Sequence, residues 1–488
     1  MSAHKKLPIF SSYDKNSTFY DEIFSEKQEV RNIYKTLFNL FSEYKIDDFQ
    51  QLNEKAKTSF LNQGITFQVY NEKDVQEQVF PFDLFPRIIS AKEWSHIETG
   101  ALQRSKALNL FLTDLYSKKQ IIKDGIVPLD MISSSENYLK EMNGLEVPGG
   151  IYNHISGTDL IKHSDGEYYV LEDNIRCPSG VSYVISNRDA LKRNLFGAFK
   201  HYPAYTVDNY AENLLGIMES VKPTGVDNPT CVVITPGIYN SAYYEHSYLA
   251  KAMGIELVEG RDLFVENDFV YMKTIYGPKK VDVIYRRIDD EFIDPLQFNP
   301  KSVLGVPGLF QAYKKGNVCL VNAPGTGVAD DKAIYTFMPK IIKYYLDEDP
   351  ILNNVHTYHC SDPKEMDYVV NNIDKLVIKP VDESGGYGIS IGSKLTKKEI
   401  EAVKKVIQAH PRKYIAQPIM SLSTHATYID ETEDFEPRHV DLRTFTLLGQ
   451  DKEFVLKGGL TRVALKRGNL IVNSSQGGGS KDTWVLKK

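Results

Sequence analysis

An apolar run that turns polar at two-residue spacing constrains this chain most: Tyr168-Tyr-Val-Leu-Glu172 leads into Asn174 and then Arg176. Residues two apart on a strand share a face. Glu172 and Asn174 therefore project to one side, joined by Arg176 if the strand continues. Upstream, Gly157-Thr-Asp-Leu-Ile-Lys162 reads as a second strand, and His163-Ser-Asp-Gly166 joins the two. Asp165-Gly166 is a hairpin signal, because glycine takes a positive φ without a Cβ clash. Antiparallel pairing about that turn brings Asp159 beside Glu172. Two carboxylates and one amide oxygen are hard donors that suit Mg2+, and Arg176 offers a contact to phosphate or carboxylate. A solvated polar hairpin explains any one of these acids but explains the set poorly.

A second constellation lies far downstream. Leu376-Val-Ile-Lys379-Pro380 reads as a buried strand ending in a lysine, and Ser384, Gly385, Gly386, Tyr387 and Gly388 follow within a few residues. A glycine-rich turn exposes consecutive backbone N–H groups to phosphate oxygens, and a lysine at a strand end adds a point charge to the same anion. Lys332, after Asp331 at the start of a helical run, is a second candidate phosphate lysine. Tyr414-Ile-Ala-Gln417 reads as a strand able to face a base. The pattern G-x-x-x-x-G-K-[ST] is absent, and no βαβ unit with G-x-G-x-x-G surrounds the loop. A lone lysine or glycine turn is common; the order of lysine strand, glycine turn, helix and strand carries the weight.

Around these two sets the chain reads as α/β units. Residues 1–20 look like a loose polar arm. Residues 21–60 are helical in pattern, with Ile33, Leu37, Leu40, Phe41 and Tyr44 on one face. A strand is expected over 65–70 and a long helix over 91–118. Strands at Cys231–Thr235, Glu256–Val258 and Val281–Tyr285 alternate with a helix over 241–253, as in a doubly wound domain. Beyond them come a helix over 332–346, a helix over 395–409 and a series of antiparallel strands. Four segments result: a helical piece over 1–64, the part carrying the hairpin over 65–225, the doubly wound domain over 226–325 and the lobe with the lysines over 326–488.

The net charge of −6 leaves no basic footprint for nucleic acid. The start MSAHKKLPIF lacks a secretory h-region, and no stretch has the apolar length of a bilayer span. Cys177, Cys231, Cys319 and Cys360 are scattered, as free thiols in a reducing compartment would be. The expectation is a cytoplasmic protein with no nucleic-acid or membrane partner.

With these residues in place, the chain resembles the ATP-grasp superfamily. Leu376–Pro380 with Ser384–Gly388 is similar to its nucleotide-binding lysine and phosphate loop, and Asp159, Glu172 and Asn174 are similar to its metal-binding Asp followed by Glu-x-Asn. In most such enzymes the lysine and loop precede the metal hairpin; here the hairpin comes first. That order resembles the circularly permuted ATP-grasp family, whose members are often labelled as similar to glutathionylspermidine synthase. The runs Leu171–Tyr183, Thr235–Tyr243, Ala323–Lys332 and Asn473–Trp484 support the resemblance, which spans residue 65 to the end. It implies an α/β fold of α+β lobes: a circularly permuted ATP-grasp with the doubly wound, pre-ATP-grasp-like domain inserted.

The resemblance implies ATP and Mg2+ as cofactors. Asp159, Glu172 and Asn174 would hold the metal. Lys332, Lys379 and the loop Ser384, Gly385, Gly386, Tyr387 and Gly388 would meet the phosphates, and Gln417 would line the adenine pocket. Asp441 and Arg443 look like the family's Asp-x-Arg strand facing the cleft; Arg462 and Asn473 look like the later residues facing the γ-phosphate and metal. Pro418 departs from the pattern, standing where many relatives carry an acid. The implied reaction joins a small-molecule or peptide carboxylate to an amine through an acyl-phosphate. Arg176, Arg286 and Arg287 are candidates to hold the carboxylate. A phosphotransferase that forms no amide, and a non-catalytic nucleotide-binding module, stay open as alternatives, as does the oligomeric state.

Overall fold

A computed structural model describes residues 10, 13–14, 19–70, 75–381, 388–469, 472 and 478–488. Strand β1 (Phe82–Ile89) leads into helix α1 (Ala91–Leu115). Ser90 starts that helix with a capping box: its hydroxyl accepts from the Glu93 N–H, and the Glu93 carboxylate accepts from the Ser90 N–H. The expected hairpin forms from β2 (Ile155–Lys162) and β3 (Tyr168–Asn174), with Gly166 at φ +84° in the turn. Helix α2 (Val181–Asn194) follows. Later come the short helix α3 (Lys332–Tyr335) and strands β4 (Leu376–Pro380), β5 (Tyr414–Pro418), β6 (Asp434–Arg443), β7 (Leu460–Val463) and β8 (Gly479–Val485).

The free edge of the hairpin is filled from the far end of the chain. β2 pairs antiparallel with β6, setting Leu160 opposite Leu442 and Asp159 opposite Arg443. The central sheet runs from the short strand Asn353–Asn354 through β3, β2, β6, β7 and β8 to β1. Early and late segments thus alternate in one sheet, which is the arrangement a circular permutation requires. One face packs on α1, where Leu160, Val170 and Leu442 join Trp94 and Ile97 in an apolar cluster.

The doubly wound unit is present. Cys231–Ile234, Glu256–Val258, Val283–Arg286 and Cys319–Val321 form a parallel sheet, with the 231 strand between the 256 and 283 strands. A three-stranded antiparallel sheet over Leu263–Val281 accompanies it and was not read from the sequence. The buried Asn322 side chain staples the parallel sheet to the hairpin. Its Oδ1 accepts from the His154 and Ile155 N–H groups, both at 2.7 Å, and its Nδ2 donates to the Ile155 and Ile175 carbonyls at 2.8 and 2.7 Å.

Two expectations need correction. The helix expected over 332–346 is split into α3 and Met338–Leu346. Pro339 has no N–H and its ring would clash with the carbonyl four residues back, so the chain restarts its helix just before it. The arm at the N-terminus is not wholly loose: Phe10 and Tyr13 are buried, and Phe10 packs against Phe38, Phe85 and Phe435. Glu22 accepts from buried Arg87 at 2.6 and 2.8 Å, and Arg87 donates to the Asp441 carbonyl at 2.9 Å. The first segment therefore buttresses β6 from behind. Among the described residues, no helix is long and apolar enough to cross a membrane.

Replacing Asn322 leaves several buried backbone groups unpaired at once. Asn322→Ala should lower stability by about 3 kcal/mol or more, read as a shifted midpoint in denaturant unfolding.

Candidate functional site

Strand register lays a row of charges across the face of the central sheet opposite α1. Glu172 lies opposite Asp159, and Asp159 opposite Arg443. Asp441, two residues before Arg443, lies opposite Arg462. Directly opposed side chains meet, and here they interlock. Arg443 Nε donates to Asp159 Oδ1 at 2.6 Å and its Nη2 to Oδ2 at 2.8 Å. Arg462 Nη2 donates to Asp159 Oδ2 at 2.8 Å, while its Nε donates to Asp441 at 2.9 Å. Burial alone would raise the Asp159 carboxyl, but the two guanidinia outweigh it and hold it well below the usual carboxylate range. Asp441 is raised, because burial outweighs chiefly Arg462.

A bulge sets the facing of the other acids. Asp159 opposes Glu172, but the next pair is Leu160 with Val170, so Leu171 is the extra residue. Beyond it Glu172 and Asn174 stay half-buried on the cleft face, and Asp173 turns into the interior. The Glu172 carboxylate lies 3.5 Å from Lys332 Nζ. Asn174 Nδ2 donates to the Gly157 carbonyl at 3.2 Å, which leaves the amide oxygen turned to the other side of the carboxamide.

Lys379 comes from a separate four-stranded sheet, and Lys332 from α3, which lies between that sheet and the hairpin. β4 and β5 pair antiparallel with Val377 opposite Gln417 and Lys379 opposite Ile415, so these four share a face. The other face, with Leu376, Ile378 and Ala416, packs on Ile407 and Val369 of the covering helices. Val381, just past β4, accepts from the Lys332 N–H at 3.2 Å, which sets the two lysines side by side. Asp331 caps α3 and accepts from Arg412 at 2.7 Å, tying that helix to the approach to β5. Lys379 is buried, and among the described residues its ammonium has no hydrogen-bond or ion-pair partner. Burial lowers it to about 8, against the opposing pull of Glu172. Gln417 Nε2 donates to Thr357 Oγ1 at 2.8 Å.

The remaining candidates divide. Arg176 stays partly exposed, its Nε 3.5 Å from Asp289 and 3.7 Å from Asp330. Arg286 and Arg287 are not available to a ligand. Arg286 is buried and donates to the carbonyls of Asn322, Ile288 and Ala323. Arg287 donates to the Pro178 carbonyl, Tyr285 and Glu245. They fasten the parallel sheet to the turn after the hairpin. Ser384, Gly385, Gly386 and Tyr387 lie outside the described residues, as does Asn473. Gly388 has φ +69°, and a Cβ there would stand 2.9 Å from the Pro380 ring.

Two features went unread in the sequence. Asp330 accepts from the Ile175 and Arg176 N–H groups, and burial pushes its carboxyl up to about 6, opposed first by Arg176. The only signal was its position two residues before Lys332. Ile161, Leu171, Met420 and Leu422 form an apolar platform with Ala464 and Val472. It joins the hairpin to the exit of β5.

Among the described residues no three His, Cys, Asp or Glu side chains gather into a metal-holding group. Glu172 and Asn174 nonetheless fit Mg2+, which takes one or two protein oxygens and fills its shell with water and phosphate. A cation, the Lys332 ammonium, already stands at Glu172. Asp159 fits as a ligand only when a guanidinium gives up one of its oxygens.

The family described as circularly permuted ATP-grasp type 2 matches residues 86–464. The uncharacterized protein sll0335 of Synechocystis sp. (strain ATCC 27184 / PCC 6803 / Kazusa) is 48% identical over 476 residues, 98% of each chain. An uncharacterized protein of Mycobacterium tuberculosis (strain ATCC 25618 / H37Rv) is 47% identical over 484 residues, 98% of this chain and 86% of its own. A Frankia alni protein provisionally named glutamate–cysteine ligase 2-3 is 37% identical over 473 residues, 96% of this chain but 54% of that one. Among solved structures, the apo form of a glutathione synthetase-like effector from Globodera pallida superposes with a TM-score of 0.58. The match covers 91% of this chain and 98% of that one at 11% identity, a likeness of fold.

Lys379, with no counter-ion among the described residues, predicts a pH effect. Its folded value of about 8 lies below the ordinary 10.5, so the protonated form opposes folding at neutral pH, and wild-type stability recovers as pH rises from 8 toward 10.5. Lys379→Met should stabilise the ligand-free protein at pH 7 by on the order of 2 kcal/mol, with the gain fading by pH 10 in thermal unfolding.

Proposed function

This chain belongs to the circularly permuted ATP-grasp type 2 family, and from that premise we propose that it is an ATP-dependent carboxylate–amine ligase working through an acyl-phosphate. One observation carries the proposal: the Glu172 carboxylate on the early hairpin meets the Lys332 ammonium at 3.5 Å, with Lys379 in the same electrostatic neighbourhood. A carboxylate and two lysines gathered in one place suit a triphosphate with its metal. The provisional ligase name of the Frankia relative, of which this chain spans about half, agrees with it.

In this proposal Lys332 and Lys379 neutralise the phosphates, and Glu172 and Asn174 would hold Mg2+, which would supply charge compensation to the phosphates. The triphosphate returns a counter-ion to Lys379 and keeps it protonated. The platform of Leu171, Met420 and Leu422 takes one face of adenine, with Gln417 at its edge. Arg443 and Arg462 are assigned the negative charge that develops during transfer. Arg176 takes the substrate carboxylate, since its loose contacts with Asp289 and Asp330 are easily exchanged. The carboxylate oxygen attacks the γ-phosphorus, ADP leaves, and an amine nitrogen then displaces phosphate from the acyl carbon to give the amide. Small-molecule or peptide acids and amines are the substrates this chemistry takes. Positioning and electrostatics do the catalytic work, with no protein nucleophile.

The test is Mg2+-dependent ADP release screened over pools of acids and amines, with hydroxylamine present in a parallel set. A productive acid should yield a hydroxamate, and Glu172→Ala should lower ADP release by about a hundredfold or more. ADP release with no hydroxamate would turn the assignment to a phosphotransferase, and full activity in Glu172→Ala would remove the metal assignment.

A further inference from the structure

Three polar residues in succession, Glu172, Asp173 and Asn174, end β3, and the functional reading needs the first and third on the cleft face. A strand that slips by one residue exchanges its faces. The bulge at Leu171 adjoins this triplet and supplies the slack for such a slip. Backbone pairing alone does not choose between Glu172 with Asn174 facing the cleft and Asp173 facing it.

The interior side of the triplet holds a buried guanidinium. Arg104 of α1 donates from Nε to both Asp173 oxygens at 3.0 and 3.1 Å and from Nη2 to Oδ2 at 2.5 Å. Thr158, opposite Asp173 on β2, donates to its Oδ1 at 3.1 Å. Arg104 Nη1 donates to Asn354 Oδ1 at 2.6 Å, and the guanidinium lies 5.7 Å from the centre of the Tyr335 ring. Tyr335 in turn donates to the Val170 carbonyl at 2.5 Å and accepts from the Val355 N–H at 3.0 Å. Tyr335 closes α3, the helix that Lys332 opens. One buried side chain therefore references the strand of Glu172 and the helix of Lys332 together.

We infer that Arg104 is the positioning residue that selects the facing of β3: by pairing with Asp173 inside, it presents Glu172 and Asn174 to the cleft and sets their distance to Lys332. This rests on the proposed ATP-grasp reading of those residues. An ion pair this deeply buried adds little stability over apolar side chains of similar size, and fixing register is its best-attested use. Losing one partner leaves the other charge buried and unmatched, which drives Asp173 outward. Making position 173 apolar removes that drive, because a leucine seeks the interior.

The test measures ATP binding by calorimetry across a series of Mg2+ concentrations, with thermal unfolding in parallel. Arg104→Met should raise the Mg2+ concentration for half-maximal ATP binding by about tenfold or more, and Arg104→Lys by a smaller factor. Arg104→Met combined with Asp173→Leu should return it toward wild type. A folded Arg104→Met protein with the wild-type Mg2+ dependence overturns the inference, as does a double variant no better than the single one. Should Arg104→Met fail to fold, Arg104→Lys decides: an unchanged Mg2+ requirement overturns the inference. A wild-type chain that binds no ATP at any Mg2+ concentration overturns the functional reading beneath it, and needs no variant to be seen.

Discussion

The antiparallel seam between β2 and β6 is the contact on which the rest depends. It sets Asp159 opposite Arg443, and with the pairing of Asp441 and Arg462 on the next strand it fixes the interlocked charges of the sheet face. Shifting the seam by one residue would turn Asp159 to the apolar side and bring Leu160 to the cleft. The seam also closes the permutation. Strands from the first half of the chain enter a sheet whose other members come from the last, so chain order and spatial order disagree while the packing stays that of one continuous sheet. Exchange of order at constant packing is physically cheap when the rejoined ends lie at the surface.

The two sides of the cleft are electrostatically unlike. On the sheet side Asp159, Asp441, Arg443 and Arg462 satisfy one another in a closed network. On the other side Lys379 is buried without a counter-ion among the described residues, and Lys332 leans on Glu172 at 3.5 Å. A protein selected for stability alone would leave no ammonium in that state. Locally unfavourable charge in an otherwise consistent fold is what a functional or strained site shows. On the proposed reading, an anion at this place satisfies Lys379 and frees Glu172 from Lys332 for a metal.

Local signals were legible. The Asp165-Gly166 turn and the two-residue spacing of Glu172 and Asn174 specify the hairpin without knowledge of anything distant, and the lysine strand and the doubly wound unit were read on the same footing. What escaped depends on partners remote in sequence. Asp159 looked like a free ligand because the guanidinia that hold it come from 284 and 303 residues away. Arg286 and Arg287 looked like strand-end charges, yet they turn inward to backbone carbonyls that no local pattern reveals. Asp173 passed as the residue between two ligands, since its partner Arg104 is one buried arginine in an otherwise ordinary amphipathic helix. The break at Pro339 was legible and overlooked, because the apolar period runs through it.

The central claim is that Glu172 from the early hairpin and Lys379 from the late strand act on one triphosphate. A double-mutant cycle in Mg2+-ATP affinity, using Glu172→Gln and Lys379→Met, tests it most directly. Each single change should weaken binding by about tenfold or more, and the double variant should lose clearly less than the product of the two losses. Losses that multiply in full, or wild-type affinity in either single variant, would mean that the two residues do not share a nucleotide.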